Sequence, residues 1–310
     1  MSFASEIKTE LAHEVSERKC CQLAEIAGFI RVAGSISLKG FGRFRIIVTT
    51  ENPALARHIK GLISDYFDIE TNLEVNKTQG FDKANQYSII IEPENKSEQI
   101  LRETGILQVK EGYDILTDGI YDQITKKKCC KKSYLKGMFL GAGTCTNPEK
   151  GYALEIVCNS ERLANDLKKL MSSGYEVSAK IHTRKGKQVV YIKNFDGVCD
   201  TLTAMGAHSK VLTLQNTKIE KETRGRAARM VNVDSANIDR AMDAAQKQMD
   251  AIKKIDLNIL PSKLEQVARL RLENPEASLT QIGEMCDPKI NKSGVYKRMN
   301  KIIEIAERYR

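Results

Sequence analysis

The stretch KCCQLAEIAGFIRVAG at residues 19–34 returns, with changes, as KCCKKSYLKGMFLGAG at residues 128–143. The lysine, both cysteines and two of the glycines recur at one spacing, 109 positions apart (128 − 19 = 109). A shared offset across five positions indicates that one structural unit has been duplicated, and such a repeat constrains the whole fold.

Both copies have the pattern of a helix that packs closely on a partner. Apolar residues recur at helical spacing, and small residues stand where most helices carry bulky ones. Each glycine costs a helix about 1 kcal/mol, so several glycines indicate close approach of another backbone. The sequence predicts that the two helices pack on each other along the faces that contain Gly28 and Gly137.

The repeat continues beyond these helices. Residues 44–50 and 152–158 are typical of strands, and each is followed by a predicted helix, from Pro53 or from Glu161. A hairpin and a closing helix complete each half. The predicted hairpins join 73–77 to 87–91 and 176–182 to 188–193, and the closing helices lie near 97–104 and 198–205. This order predicts an α+β domain over residues 1–213, with halves at about 1–117 and 126–213.

Residues 214–255 are interpreted as a charged linker and a connecting helix. Ser235 is a suitable cap for that helix. Its apolar positions recur every three or four residues, at Ile238, Met242, Ala245, Met249 and Ile252.

Residues 256–310 predict a separate all-α domain of three helices. Pro261 begins the first helix, Ser278 caps the second in a capping box with Gln281, and Ser293 caps the third. The buried stripe of the third helix is predicted to contain Val295, Met299, Ile302, Ile303 and Ala306.

The opposite face of the third helix is polar and basic, which favours a helix-turn-helix whose third helix reads DNA. The alternative is a generic three-helix packing module. The candidate DNA-contacting residues are Lys289, Lys292, Ser293, Tyr296, Lys297, Arg298, Asn300 and Lys301.

The distribution of charge also favours a polyanion partner. Residues 208–310 contain 20 basic and 14 acidic residues, so they carry +6 of the net charge of +9. Two basic turns in the first domain are candidates for secondary DNA contacts, although they could equally be solvated turns. Their basic residues are Lys39, Arg43, Arg184, Lys185 and Lys187.

The eight cysteines include two adjacent pairs but no Cys-x2-Cys motif, and none of the four histidines has the spacing of a zinc site. We interpret the cysteines as reduced, buried thiols, with metal or redox chemistry as the alternative, and we expect no metal and no cofactor. No apolar run is long enough to span a membrane, and the N-terminal segment is too charged for a signal peptide. A cytoplasmic protein without a membrane partner or an evident small-molecule substrate is expected.

The segments Ile26–Gly34 and Leu135–Gly143 resemble degenerate LAGLIDADG motifs. This resemblance implies a pseudo-twofold saddle, with the two helices at its centre and its sheets lying over DNA in the homing endonucleases. In those enzymes the penultimate motif position is an acid that binds the catalytic metal. Here Ala33 and Ala142 stand in its place, so the resemblance implies the scaffold without catalytic residues. A residual nuclease is kept as an alternative.

The whole chain resembles the WhiA family of sporulation and cell-division regulators. The resemblance includes the opening MSFASEIKTEL, the segment around residues 232–237 and the closing stretch at residues 278–302. It implies a non-enzymatic, nucleoid-associated regulator of cell division, chromosome segregation and sporulation. Double-stranded DNA is the implied partner, with a co-regulator protein as a further one. The alternative is a nucleoid-associated or protein-interaction scaffold that affects division without acting on transcription.

Overall fold

In the computed structural model, the described residues are 2–40, 42–77, 85–175 and 177–308. Phe41 in one basic turn, the predicted loop at residues 78–84 and Glu176 in a predicted strand therefore lie outside them. The chain divides into two compact units, Met1–Ile219 and Glu220–Arg310. The first unit combines helices with sheets and the second is helical, which confirms the predicted α+β class.

The first half of the first unit begins with a helix, α1, that the sequence analysis did not predict. The side chain of Ser2 caps it by accepting a hydrogen bond from the amide of Ser5 at 3.2 Å. The elements of this half are α1 (Phe3–His13), α2 (Lys19–Ala33), β1 (Gly34–Leu38), β2 (Phe44–Thr50), α3 (Pro53–Phe67), β3 (Asn72–Lys77), β4 (Asn85–Ile91) and α4 (Ser97–Glu103).

The second half repeats the first, apart from α1. A hairpin that the sequence analysis also missed, β5 (Leu107–Lys110) with β6 (Tyr113–Leu116), precedes it. The two four-stranded antiparallel sheets have the same strand order, β1-β2-β4-β3 and β7-β8-β10-β9. The repeated elements are α5 (Lys128–Ala142), β7 (Gly143–Cys145), β8 (Leu154–Cys158), α6 (Glu161–Tyr175), β9 (Lys180–Arg184), β10 (Lys187–Ile192) and α7 (Phe195–Met205).

Helices α2 and α5 pack on each other through their glycines, as predicted. A Cβ atom on Gly28 would lie 2.2 Å from the carbonyl oxygen of Tyr134, and one on Gly137 would lie 2.1 Å from that of Glu25. Tyr134 is the repeat equivalent of Glu25 (134 − 25 = 109). The two contacts are therefore images of each other, as a pseudo-twofold axis between the helices requires.

A single helix of 45 residues, α8 (His208–Ile252), contains the boundary between the two units. Ser235 lies inside this helix, so the prediction that it caps a new helix is wrong. The expected apolar stripe is buried only at its C-terminal end, where Ile252 is buried, whereas Ile238 and Met242 are exposed. Gly225 does not interrupt the helix, because a glycine lowers helix stability without blocking a hydrogen bond.

The second unit contains α9 (Ser262–Glu273), α10 (Leu279–Met285) and α11 (Lys292–Arg308). The predicted capping box is confirmed, since the Ser278 amide donates to Gln281 Oε1 at 2.8 Å and the Gln281 amide donates to Ser278 Oγ at 3.3 Å. The core of the unit includes Val267, Ala268, Ile282, Val295, Met299 and Ile302. Among the helices of the described residues, none combines the length and the hydropathy that crossing a bilayer would require.

Candidate nucleic-acid interface

The first turn of α11 is capped by Asn291, not by Ser293 as predicted. The amide of Gly294 donates to Asn291 Oδ1 at 2.8 Å, and Ser293 Oγ donates to the same oxygen at 2.9 Å. The helix begins at Lys292, so Ser293 is its second residue and is exposed. An asparagine is as good a cap as a serine, and its position here leaves the Ser293 hydroxyl on the surface.

Helix α11 has one buried and one exposed face. Val295, Met299, Ile302 and Ala306 are buried, and Ile303 is half-buried at the edge of the stripe. On the other side, Tyr296 is 55% exposed, which is unusual for a large aromatic side chain. The polar residues that share this exposed face are Lys297, Asn300 and Lys301.

Most of the positive charge on and before this face is not neutralised. Within the described residues, Lys289, Lys292 and Lys297 have no ion-pair partner. Lys301 Nζ lies 2.9 Å from Glu304 Oε2, and both side chains are exposed, so the pair is weak. Arg298 is half-buried and donates to the carbonyl oxygen of Lys263 at 3.4 Å.

The turn between α10 and α11 is fixed by backbone packing. The Ile290 amide donates to the Gly283 carbonyl oxygen at 3.0 Å, and a Cβ on Gly283 would lie 2.2 Å from the Ile290 carbonyl oxygen. A shallow depression of about 470 Å³ lies beside this turn. It is lined by Leu279, Asn291, Lys292, Ser293 and Tyr296.

Arg271, a residue that the sequence analysis did not single out, holds the preceding turn. It is almost fully buried and donates to the Ala277 carbonyl oxygen at 2.6 Å, next to the start of α10. Burial lowers its pKa. A signal was present in the sequence, because Arg271 follows Leu264, Val267 and Ala268 at the spacing of the buried stripe.

The two basic turns of the first unit differ from α11 in how their arginines are engaged. Arg43 Nη1 lies 3.6 Å from Glu94, and Arg184 Nη2 lies 3.0 Å from Glu155. The turns are also not repeat equivalents, because one joins β1 to β2 and the other joins β9 to β10. The lysines of these turns are exposed and have no ion-pair partner within the described residues. They are Lys39, Lys185 and Lys187.

Ala33 and Ala142 are the last residues of α2 and α5. A cleft of about 640 Å³ lies beside the end of α5, and Lys8 of α1 lines it together with Glu51 and Leu140. Burial lowers the pKa of Lys8 to about 8. Because α1 was not predicted, neither was Lys8.

Within the described part of the chain, one group of three or more cysteine, histidine or acidic residues is close enough to hold a metal ion. It consists of Cys20, Cys21, Cys129 and Cys130, at the opposite ends of α2 and α5 from Ala33 and Ala142.

A buried ionic cluster lies between the helices of the first unit. His58 Nε2 lies 2.7 Å and Lys136 Nζ lies 3.0 Å from the same oxygen of Glu25, and all three side chains are buried. Lys136 also donates to the carbonyl oxygen of Glu14. Burying these charges requires such pairing, so we assign the cluster to the stability of the fold.

Comparisons with known proteins agree along the whole chain. The WhiA N-terminal LAGLIDADG-like domain matches residues 19–107, the WhiA LAGLIDADG-like domain matches 131–224, and the WhiA C-terminal HTH domain matches 227–306. The chain is 39% identical to the probable cell division protein WhiA of Alkaliphilus metalliredigens over 315 residues, which cover 100% of this chain and 99% of the relative. The probable cell division protein WhiA of Clostridium beijerinckii is also 39% identical, over 314 residues with the same coverage.

The fold is likewise similar to a solved structure. The crystal structure of full-length WhiA from Thermotoga maritima superposes with a TM-score of 0.61 at 25% identity, covering 99% of both chains. The whole of α2, most of α5 and almost all of the C-terminal helices lie within the matched regions. The chain therefore belongs to the WhiA family.

Proposed function

We propose that this chain binds double-stranded DNA through α11, with sequence specificity, and regulates cell division by that binding. The observation that carries this proposal is the exposed basic face of α11, whose lysines are largely unpaired within the described residues. DNA carries closely spaced negative phosphates. Lysines without an ion-pair partner gain the most binding free energy from contact with them. The match of residues 227–306 to a helix-turn-helix model supports the same proposal.

The residues of α11 divide into two roles. Tyr296, Lys297 and Asn300 are exposed on the face that would enter the major groove, where lysine suits guanine and asparagine suits adenine. The other cations, with Ser293 at the helix start, would position the helix on phosphates. These positioning residues are Lys289, Lys292, Arg298 and Lys301.

The proposed regulatory role follows from the relatives, which carry the name of a cell division protein. We extend it to chromosome segregation and, in organisms that sporulate, to sporulation. A cytoplasmic protein associated with the nucleoid, acting with a co-regulator protein, is part of the same proposal.

We also propose that the chain has no nuclease activity. Ala33 and Ala142 offer no carboxylate to a catalytic Mg²⁺ at the positions where the homing endonucleases have one. Plasmid DNA incubated with the protein and Mg²⁺ or Mn²⁺ should therefore stay supercoiled. A nicking activity that co-purifies with the protein would contradict this proposal.

The DNA-binding proposal is tested by selecting bound sequences from a random duplex pool and then measuring affinity for the selected site across a salt series. In the double variant Lys297→Ala, Lys301→Ala, binding should weaken, and the slope of log affinity against log salt should flatten by about 0.9 for each phosphate that the variant no longer neutralises. The matched control is Lys253→Ala, Lys254→Ala, since these two lysines are exposed in the same unit but lie far from α11 in sequence. Equal affinity and slope in both double variants would contradict the proposal.

A second candidate function is a scaffold that acts on division without changing transcription. Exposed apolar side chains on α8, including Met230 and Val231, favour it, because such side chains are typical of protein-binding surfaces. Mapping the chromosomal sites bound in cells and comparing transcripts in a deletion strain would separate the two. Bound sites whose neighbouring transcripts do not change would favour the scaffold.

A further inference from the structure

The two cysteine pairs of the repeat come together in space. The sulfur atoms of Cys20, Cys21, Cys129 and Cys130 all lie within 4.8 Å of one another. The sequence separates the pairs by more than a hundred residues, and no Cys-x2-Cys spacing marks them, so only the packing of α2 on α5 reveals the group.

The contacts within this group follow the pseudo-twofold axis. Cys21 of the first half lies close to Cys129 of the second, and Cys130 lies close to Cys20. Each of these contacts is the repeat image of the other. Each half therefore contributes two of the four sulfurs. A single disulfide between the halves would use only one sulfur from each.

The spacing of the sulfurs suits a tetrahedral metal ion. Zn–S bonds are about 2.3 Å long, so the sulfurs of a zinc tetrathiolate lie about 3.8 Å apart. The sulfurs of Cys129 and Cys130 are already 3.9 Å apart. Since no two sulfurs are more than 4.8 Å apart, none of the separations would have to contract by more than about 1 Å.

The surroundings favour thiolates over thiols. The cysteines lie in the first turns of α2 and α5, which have no side-chain cap and no acidic residue there. Uncapped amides and the helix dipole stabilise negative charge at that point. The residues before the first cysteine of each pair are all basic. They are Arg18 and Lys19 in the first half and Lys127 and Lys128 in the second.

A metal ion from solvent could reach the four cysteines. Cys20 and Cys129 are partly exposed, whereas Cys21 and Cys130 are buried. An ion could therefore reach the site from solvent and become enclosed on its inner side. The remaining four cysteines are all buried, as expected of core thiols.

We propose that Cys20, Cys21, Cys129 and Cys130 form a tetrathiolate site for one soft divalent cation of the zinc class, which joins the two halves of the first unit. Binding replaces the protons of the neutral thiols with the metal and releases them to solvent. The charge of −2 that remains faces two helix N-termini and the flanking basic residues. The site is structural, because all four tetrahedral positions are filled by protein sulfurs.

The test is a cobalt titration of the full-length, reduced and metal-stripped protein under anaerobic conditions. Co²⁺ should bind with a one-to-one endpoint and give the intense d–d bands of tetrahedral cobalt together with thiolate charge-transfer absorption. One equivalent of Zn²⁺ should displace it. Absence of these bands, or bands typical of six-coordinate cobalt, would overturn the proposal.

Cysteine variants test whether these four residues are the metal ligands. The double variant Cys129→Ser, Cys130→Ser should bind cobalt at least about 100-fold more weakly, a larger loss than outer-shell changes cause. Cys199→Ser, which replaces a buried cysteine of α7 outside the group, should bind as the unchanged protein does. Bands that persist in the double variant would overturn the assignment.

Thiol counting on the unchanged protein keeps the proposal testable if the double variant fails to fold. In the zinc-loaded protein, a mercurial reagent should release one zinc for every four thiols that it modifies. Release without that stoichiometry, or purification of the protein with these cysteines joined as disulfides, would overturn the proposal. None of these measurements depends on DNA binding.

Discussion

The centre of the first unit and the surface of α11 use charged residues in opposite ways. Between α2 and α5, Glu25 is 1% exposed and Lys136 is 5% exposed, and their charged atoms lie 3.0 Å apart. On α11, Lys297 is exposed and has no ion-pair partner within the described residues. The first arrangement stabilises a fold, and the second leaves charge available for a partner.

The basic turns of the first unit fall between these extremes. Their arginines are exposed, yet Arg43 and Arg184 each lie beside a glutamate. Exposed pairs are weak, as for Lys301 and Glu304, so the turns differ from α11 only in degree, and their unpaired lysines remain candidates for secondary contacts. We therefore propose that a basic residue is the better candidate for a DNA contact where the fold leaves its charge unsatisfied.

The largest effect is expected from Lys136→Met, which leaves Glu25 buried beside His58 alone. Breaking a buried ion pair in this way should lower the free energy of unfolding by about 3 to 5 kcal/mol. Lys301→Met removes an exposed pair with Glu304 and should change it by less than about 1 kcal/mol. Urea unfolding followed by circular dichroism measures both. Similar losses in the two variants would contradict the distinction between buried and exposed charge.

The next effect tests the packing that creates the buried centre. Gly137→Ala would place a methyl group 2.1 Å from the Glu25 carbonyl oxygen, so α2 and α5 must move apart. Overpacking of this kind should cost about 1 to 3 kcal/mol. The matched control is Gly61→Ala in α3, where the added methyl group meets nothing within 4 Å. That control should stabilise the protein by about 0.5 to 1 kcal/mol, and an equal loss in both variants would refute close packing at Gly137.

An effect of similar size but opposite sign is expected at Lys8. Its pKa of about 8 in the folded chain lies below its usual value of 10.5, because burial disfavours the charged form. The unfolded chain therefore binds more protons between these values, and the contribution of Lys8 to stability rises with pH across that window. Lys8→Met should stabilise the protein at pH 7 by about 1 to 3 kcal/mol.

The pH dependence distinguishes this gain from ordinary packing. The stability difference between Lys8→Met and the unchanged protein should shrink as the pH rises from 8 towards 10. Lys168→Met replaces an exposed lysine of α6 and should show no such trend. A difference for Lys8→Met that stays constant with pH would mean that the folded lysine keeps its usual pKa.

Much of this architecture could be predicted because it is encoded locally. Residues 44–50 form a strand with the predicted bounds, and the glycines at 28 and 137 predicted the contact between α2 and α5. The buried stripe of α11 followed from its period. Such features depend on neighbours in the sequence or on residue size alone.

Several features that were missed depend on contacts between distant positions, whereas α1 and the β5–β6 hairpin are local and were overlooked. Glu25 and Lys136 are 111 residues apart in the sequence. Each is a residue type that ordinarily lies on the surface. The two cysteine pairs were visible as a repeat, but their meeting depends on the parallel packing of two helices. The error at Ser235 has another origin. A serine is a good cap residue, but it can also occupy an exposed position in the middle of a long helix at a modest cost in helix stability.

The central proposal is that α11 reads the DNA sequence, whereas the basic turns of the first unit make at most secondary contacts. The direct measurement is the affinity of two full-length double variants for the selected DNA site, at one salt concentration. Lys297→Ala, Asn300→Ala should bind at least about 10-fold more weakly and accept altered bases within the site, since each good base contact contributes about 1 to 3 kcal/mol. Arg43→Ala, Arg184→Ala should bind within about 3-fold of the unchanged protein, because we propose at most secondary phosphate contacts for these turns. The reverse ranking, with the turn variant losing binding and the α11 variant keeping it, would contradict the account.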